Sequence, residues 1–149
     1  MFRKLMIASA FALASAPVLA ADCAIEVGST DQMTYDTKSI EVSKSCKTFE
    51  VTLKHLGQLP KTAMGHNWVL VKQEDAAAVA RDGIAAGVAN DYLKQGDERV
   101  IAATKLIGGG ESDTVSVDVS KLQDGVAYEF FCSFPGHIGL MKGELKLVD

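Results

Sequence analysis

The sequence predicts an all-β fold, a sandwich or barrel of many short strands with one helix set outside the sheets. Three observations predict it. Apolar and polar residues alternate over several short stretches, the period of a strand with one buried face. Turn formers interrupt those stretches at short intervals, among them "QDG" at 123–125 and "GGG" at 108–110. One segment alone has helical composition, "QEDAAAVARDG", with Gly83 positioned to end it.

In chain order, residues 1–20 read as a leader. "MFRK" is basic, "LMIASAFALASA" is an apolar run too short to span a bilayer, and "VLA" ending at Ala20 carries the small residues of a signal-peptidase site. Cleavage after Ala21 fits nearly as well. With two basic and no acidic residues, this leader is of the kind that directs a bacterial chain to the periplasm. Residues 21–149 then form a single domain, without internal repeat, low-complexity tract or linker. Taking 20 residues from 149 leaves 129, enough for one well-filled core.

The first strands are expected at "AIEV" and "SIEV". "TFEVTLKH" sets Phe49, Val51, Leu53 and His55 on one face, with Thr48, Glu50, Thr52 and Lys54 on the other. On that face His55 reads as a buried, hydrogen-bonded core histidine. "WVLV" is a buried strand with Trp68 as a core aromatic. After the helix, "IAAGVANDYLKQGD" reads as helix remnant and loop. "DTVSVDVS" alternates Val115, Val117 and Val119 with Ser116, Asp118 and Ser120. "VAYEFFCSF" sets Tyr128, Phe130 and Cys132 on one face, and "ELKLV" supplies the last strand.

Charge narrows the function. Beyond residue 20 the chain has 13 basic and 19 acidic residues, a net charge of −6. No cluster of Lys and Arg offsets that balance, which argues against nucleic acid as a partner. No later apolar run is long enough to cross a membrane. The three cysteines permit one bridge with one left over. A bridge between Cys23 and Cys46 would pin the first strand to its neighbour and stabilise by roughly 3 kcal/mol in the chain-entropy model. Cys132 is then the odd thiol, a liability in an oxidising compartment unless something occupies it.

The stretch "FFCSFPGHIGLMKG" suggests what occupies it. Cys132 ends a strand, the tight loop "SFPGH" brings His137 back, and Met141 follows four positions later. In "AMGHNWVLV" a second histidine, His66, precedes a buried strand. One cysteine, two histidines and a weak methionine are the ligand set of a blue-copper electron-transfer centre. Thiolate and thioether suit Cu(I), imidazole accepts either valence, and a three-ligand plane with a distant axial sulfur compromises between the geometries the two valences prefer. Structural zinc favours four Cys/His ligands at closer spacing, and methionine serves it poorly. A cysteine hydrolase with Cys132 as nucleophile and His137 or His66 as base would need an orienting acid or amide, and none is evident. A copper storage or delivery protein uses the same soft ligands and is the competing reading.

The segments "MGHNWVL" and "FFCSFPGHIGLMKG", with "DQM", "SKSC" and "TKLIGGGE", resemble the azurins, a family of bacterial blue copper proteins within the cupredoxins. The resemblance covers nearly the whole chain beyond the leader. Its C-x4-H spacing separates azurins from plastocyanins and pseudoazurins, whose cysteine and histidine lie closer together. It implies an eight-stranded Greek-key β-sandwich with one external helical flap, and a Cys23–Cys46 disulfide. It implies one copper ion held by His66, Cys132 and His137, with Met141 as the long axial ligand and the Gly65 carbonyl on the opposite side. Asn67 would tie the two ligand loops together, and backbone N–H groups near Ser133 and Phe134 would donate to the cysteine sulfur. The family has a redox-linked histidine at the position of His55, followed in many members by proline; here Leu56 follows. The implied protein is a monomeric periplasmic electron carrier, not an enzyme. Its implied partners are redox proteins such as c-type cytochromes, nitrite reductase or amine dehydrogenases. They would dock briefly on an apolar patch around His137, formed by Pro135, Gly139 and Leu140 together with Met33, Leu59 and Met64.

Overall fold

In the computed structural model the described residues are 22–149, so the expected leader lies outside them. Two sheets face one another. The first has the order β2 (Thr34–Tyr35), β1 (Ala24–Thr30), β4 (Thr48–His55), β7 (Ser112–Asp118). The second runs β3 (Ser39–Ser43), β9 (Lys142–Val148), β8 (Tyr128–Phe131), β5 (Val69–Lys72), β6 (Ala102–Ala103). Two of these nine segments, β2 and β6, are only two residues long. Strands β1 and β4 pair in parallel, as do β3 and β9, and the remaining pairs are antiparallel.

Alternation decides which side of each strand is buried. In β4, Phe49, Val51, Leu53 and His55 all face the core, with Thr48 and Glu50 exposed. From the facing sheet Ile40, Trp68, Leu70, Phe130 and Leu145 join the same core. Strands β5 and β8 are buried on both faces. Trp68, Leu70, Phe130 and Cys132 point between the sheets, while Val69, Val71 and Phe131 point outward beneath a helix. That is why "WVLV" and "FFC" read as unbroken apolar runs.

The helix is α2 (Ala76–Ala86), which follows a short helix α1 (Lys61–Met64) and covers the outer face of the second sheet with Ala76, Val79 and Ala80. Its end corrects one expectation. Gly83 is buried within the helix and does not end it; Gly87 does, at φ 72°. Gly83 is needed for packing, because a Cβ there would meet the Tyr92 carbonyl group. The Gly87 conformation is one that L side chains rarely adopt, the usual reason for glycine just past a helix.

The expected bridge is present, joining Cys23 to Cys46 with their Cα atoms 5.7 Å apart. It sits where β1 and β4 begin: the Cys23 carbonyl accepts the Glu50 N–H at 2.9 Å. Among the described residues no helix is long and apolar enough to cross a membrane.

Candidate metal centre

Strand ends converge on one spot. Cys132 is the residue after β8, and Met141 is the residue before β9. Between them the chain turns at Gly136, φ 85°, and His137 opens a short 3-10 turn. The turn is closed by Met141 N–H donating to the His137 carbonyl at 2.8 Å and Cys132 N–H donating to the Met141 carbonyl at 3.0 Å. These bonds fold a cysteine, a histidine and a methionine into one corner. His66 arrives from the loop between α1 and β5, paired with Ile107 through two backbone bonds of 3.0 and 2.8 Å.

The Cys132 Sγ lies 3.5 Å from His137 Nδ1 and 3.8 Å from His66 Nδ1. The Gly65 carbonyl oxygen is 3.8 Å from the same sulfur. The sulfur and the two imidazole nitrogens all fall within 4.8 Å of one another. Metal–nitrogen and metal–sulfur bonds of about 2.0 and 2.3 Å, meeting at 110–120°, place ligand atoms about 3.5–3.8 Å apart. The spacing therefore fits a first-row metal ion at the centre. Cys132, His66 and Met141 are fully buried, and His137 is 3 % exposed.

Neighbouring groups fix the orientation of each side chain. His66 Nε2 donates to the Thr30 carbonyl at 2.8 Å, which leaves Nδ1 to face the sulfur. The His55 ring stacks on His66 at 4.4 Å and 18°. It accepts the Gly57 N–H at Nδ1 and donates from Nε2 to the Met64 carbonyl, so it is the buried, bonded histidine expected. Phe134 stacks on His137 at 4.5 Å, and Tyr92 packs edge-on against Phe134.

Asn67 ties the two ligand loops as expected. Its Oδ1 accepts the Ser133 N–H at 2.9 Å, and its Nδ2 donates to Ser133 Oγ at 2.8 Å and to the Asp91 carbonyl at 3.0 Å. Of the N–H groups expected to donate to the Cys132 sulfur, that of Phe134 does so; the Ser133 N–H is taken by Asn67 Oδ1, and the Asn67 N–H, which was not expected, is the second donor. Trp68 is a fully buried core aromatic stacked on Phe130, and its Nε1–H has no hydrogen-bond partner.

Burial sets the proton chemistry. It pushes the Cys132 thiol up to about 12, against the pull of the Asn67 and Phe134 N–H groups. It pushes His66 down to about 4, opposed by the Thr30 carbonyl, and lowers His137 as well. Without a cation the corner holds a neutral thiol and neutral imidazoles. A bound cation supplies the charge that makes a thiolate affordable there.

Several supporting groups were not legible in the sequence. Thr30 and Asp91 act through backbone carbonyls, which carry no residue-type signal. The Phe134 stack depends on the turn at Gly136. Among the expected patch residues, Leu59 and Leu140 are 42 % and 58 % exposed, Gly139 is exposed, and Met33, Met64 and Pro135 are half-buried.

Comparison with known proteins agrees with this geometry. Residues 21–148 match the family model described as copper binding proteins, plastocyanin/azurin family. The azurin of Bordetella pertussis is 65 % identical over 135 residues, covering 91 % of this chain and 90 % of the relative. The azurin of Achromobacter denitrificans is 58 % identical over 147 residues, covering 99 % of each. A solved structure of the azurin Az-iso2 from the obligate methylotroph Methylomonas sp. strain J superposes with a TM-score of 0.84 at 50 % identity, covering 87 % of this chain and all of that one. A buried Cys-His-His corner on a double β-sheet, matched over nearly its whole length, places the chain in the plastocyanin/azurin family of copper-binding proteins.

Proposed function

We propose that the protein is a periplasmic type 1 copper electron carrier in which His66, Cys132 and His137 ligate the metal through Nδ1, Sγ and Nδ1. Met141, through its thioether, and the Gly65 carbonyl would hold the ion more weakly. The observation that carries this reading is the burial of one sulfur and two imidazole nitrogens within 4.8 Å of one another. When bound, copper supplies a one-electron couple between Cu(II) and Cu(I).

The chain's own residues do the rest. The two sheets and the Asn67–Ser133 bonds hold the ligand loops so that little rearranges when charge changes. Donation to Cys132 Sγ from Asn67 and Phe134 withdraws electron density from the sulfur and favours the reduced state. Burial keeps solvent from the ligand side chains, which suits outer-sphere transfer with no bond made or broken. The most accessible of the four ligand side chains, His137, lies two and three positions before the exposed Gly139 and Leu140, so a redox protein docking on that apolar surface would approach the imidazole edge. Small, short-lived contacts of this kind match turnover better than tight binding. C-type cytochromes, nitrite reductase and amine dehydrogenases are the proposed partner classes, and the carrier works as a monomer.

An absorption spectrum of the copper-loaded, oxidised protein tests the reading, taken before and after ascorbate. A deep blue band that bleaches and returns reversibly is expected, and Cys132→Ser should lose it while keeping the fold. Colourless, readily exchangeable copper would instead indicate a storage or delivery protein.

A further inference from the structure

We propose that Lys38 is a positioning residue for the axial methionine, its ammonium clamping the main chain on both sides of Met141. The proposal rests on the copper reading above. Lys38 Nζ donates to the Leu140 carbonyl at 3.0 Å and, in a longer contact, to the Lys142 carbonyl at 3.5 Å. Those carbonyls belong to the residues on either side of Met141. The carbonyl of Met141 itself accepts the Cys132 N–H at 3.0 Å, and its N–H donates to His137 at 2.8 Å. Three successive carbonyls are thus held from two directions, the middle one by the ligand loop and its neighbours by Lys38.

An exposed lysine usually gives back in rotamer entropy what it gains from one bond. Here its main chain is anchored against the segment it clamps. The Lys38 carbonyl accepts the Glu144 N–H at 2.9 Å, and Gly143 permits the approach, since a Cβ there would stand 2.6 Å from that carbonyl oxygen. The ammonium therefore closes over a short, fixed distance and meets two acceptors. The Met141 side chain is fully buried, so its sulfur follows the main chain. A weak axial ligand tunes the redox potential of a copper site of this type, so a small main-chain shift has a measurable consequence.

Two variants test the clamp: Lys38→Met keeps the length and loses the ammonium, and Lys38→Arg keeps charge and donors. In the metal-free protein, amide hydrogen exchange by NMR at Cys132 and Met141 should be several-fold faster in Lys38→Met and return toward the parent rate in Lys38→Arg. In the copper-loaded protein, the ratio of the two sulfur-to-copper absorption bands and the EPR rhombicity, which report axial bonding, should shift in Lys38→Met at any ionic strength and recover in Lys38→Arg. Unchanged exchange rates with an unchanged spectrum would overturn the proposal. So would a potential shift that salt abolishes while the spectrum stays the same, since Lys38 would then act only as surface charge. A parent protein that never turns blue would defeat the copper reading, and the metal-free exchange rates would still decide the clamp.

Discussion

Cys132 shows how much a single residue depends on its surroundings. Its thiol is pushed up to about 12 by burial, while burial lowers both His66 and His137. At neutral pH the metal-free site therefore carries one removable proton, on sulfur. Copper loading at pH 7 should release close to one proton per ion, measurable by calorimetry in buffers of different ionisation enthalpy; zero protons would mean the thiolate already exists without metal. Met141 should behave differently. Met141→Leu is expected to keep copper and colour but raise the potential, read by voltammetry, because the proposed weak donor to Cu(II) would be lost. Loss of the metal would assign the axial sulfur a larger share of binding. At this scale the sequence was most informative: cysteine, histidine and methionine carry their chemistry in their side chains. It could not show that Asn67 rather than Ser133 gives its N–H to the sulfur, because both are equally able donors and only the Asn67 Oδ1–Ser133 bond separates them.

Among the elements, α2 is where local pattern and packing disagree. Helix propensity favours alanine over glycine by about 1 kcal/mol, so Gly83→Ala would be expected to stabilise an isolated helix. Here the added methyl would press on the Tyr92 carbonyl, and overpacking against backbone costs about 1–3 kcal/mol. Gly83→Ala should therefore lower stability in urea; a gain would mean that the segment around Tyr92 yields freely. The same segment is held to α2 by Arg99, which reaches Asp82 at 2.8 Å and Asp97 at 2.5 Å. Arg99 holds both carboxyls below their ordinary value of 3.8. Groups with depressed values stabilise the fold above the unfolded-state value and lose that contribution as pH falls through the folded one. Removing the guanidinium with Arg99→Met should flatten the acid limb of the stability–pH curve below about pH 4, measured by thermal unfolding, and leave the slope at neutral pH unchanged. Unaltered acid behaviour would show that these ion pairs contribute nothing net.

For the whole molecule, the disulfide and the metal corner lie at opposite ends of the same strand. Cys23 precedes β1, whereas Thr30, which holds His66, ends it seven residues later. At about 3.3 Å per residue that is roughly 20 Å. Reducing Cys23–Cys46, whose cysteines are 23 positions apart, should cost about 3 kcal/mol in unfolding free energy and leave the visible spectrum of the copper form unchanged. A changed spectrum would mean that strain at the bridge reaches the ligands. The amino-acid order by itself determined the strand faces, the helix outside the sheets and which four side chains are suited to copper, because each follows from period or from side-chain chemistry. Only the tertiary structure decided which backbone groups orient those side chains, where α2 stops and how deeply the ligands are buried. Those properties depend on contacts between segments distant in sequence, with Thr30 meeting His66, Tyr92 meeting Gly83 and Lys38 meeting the carbonyls beside Met141.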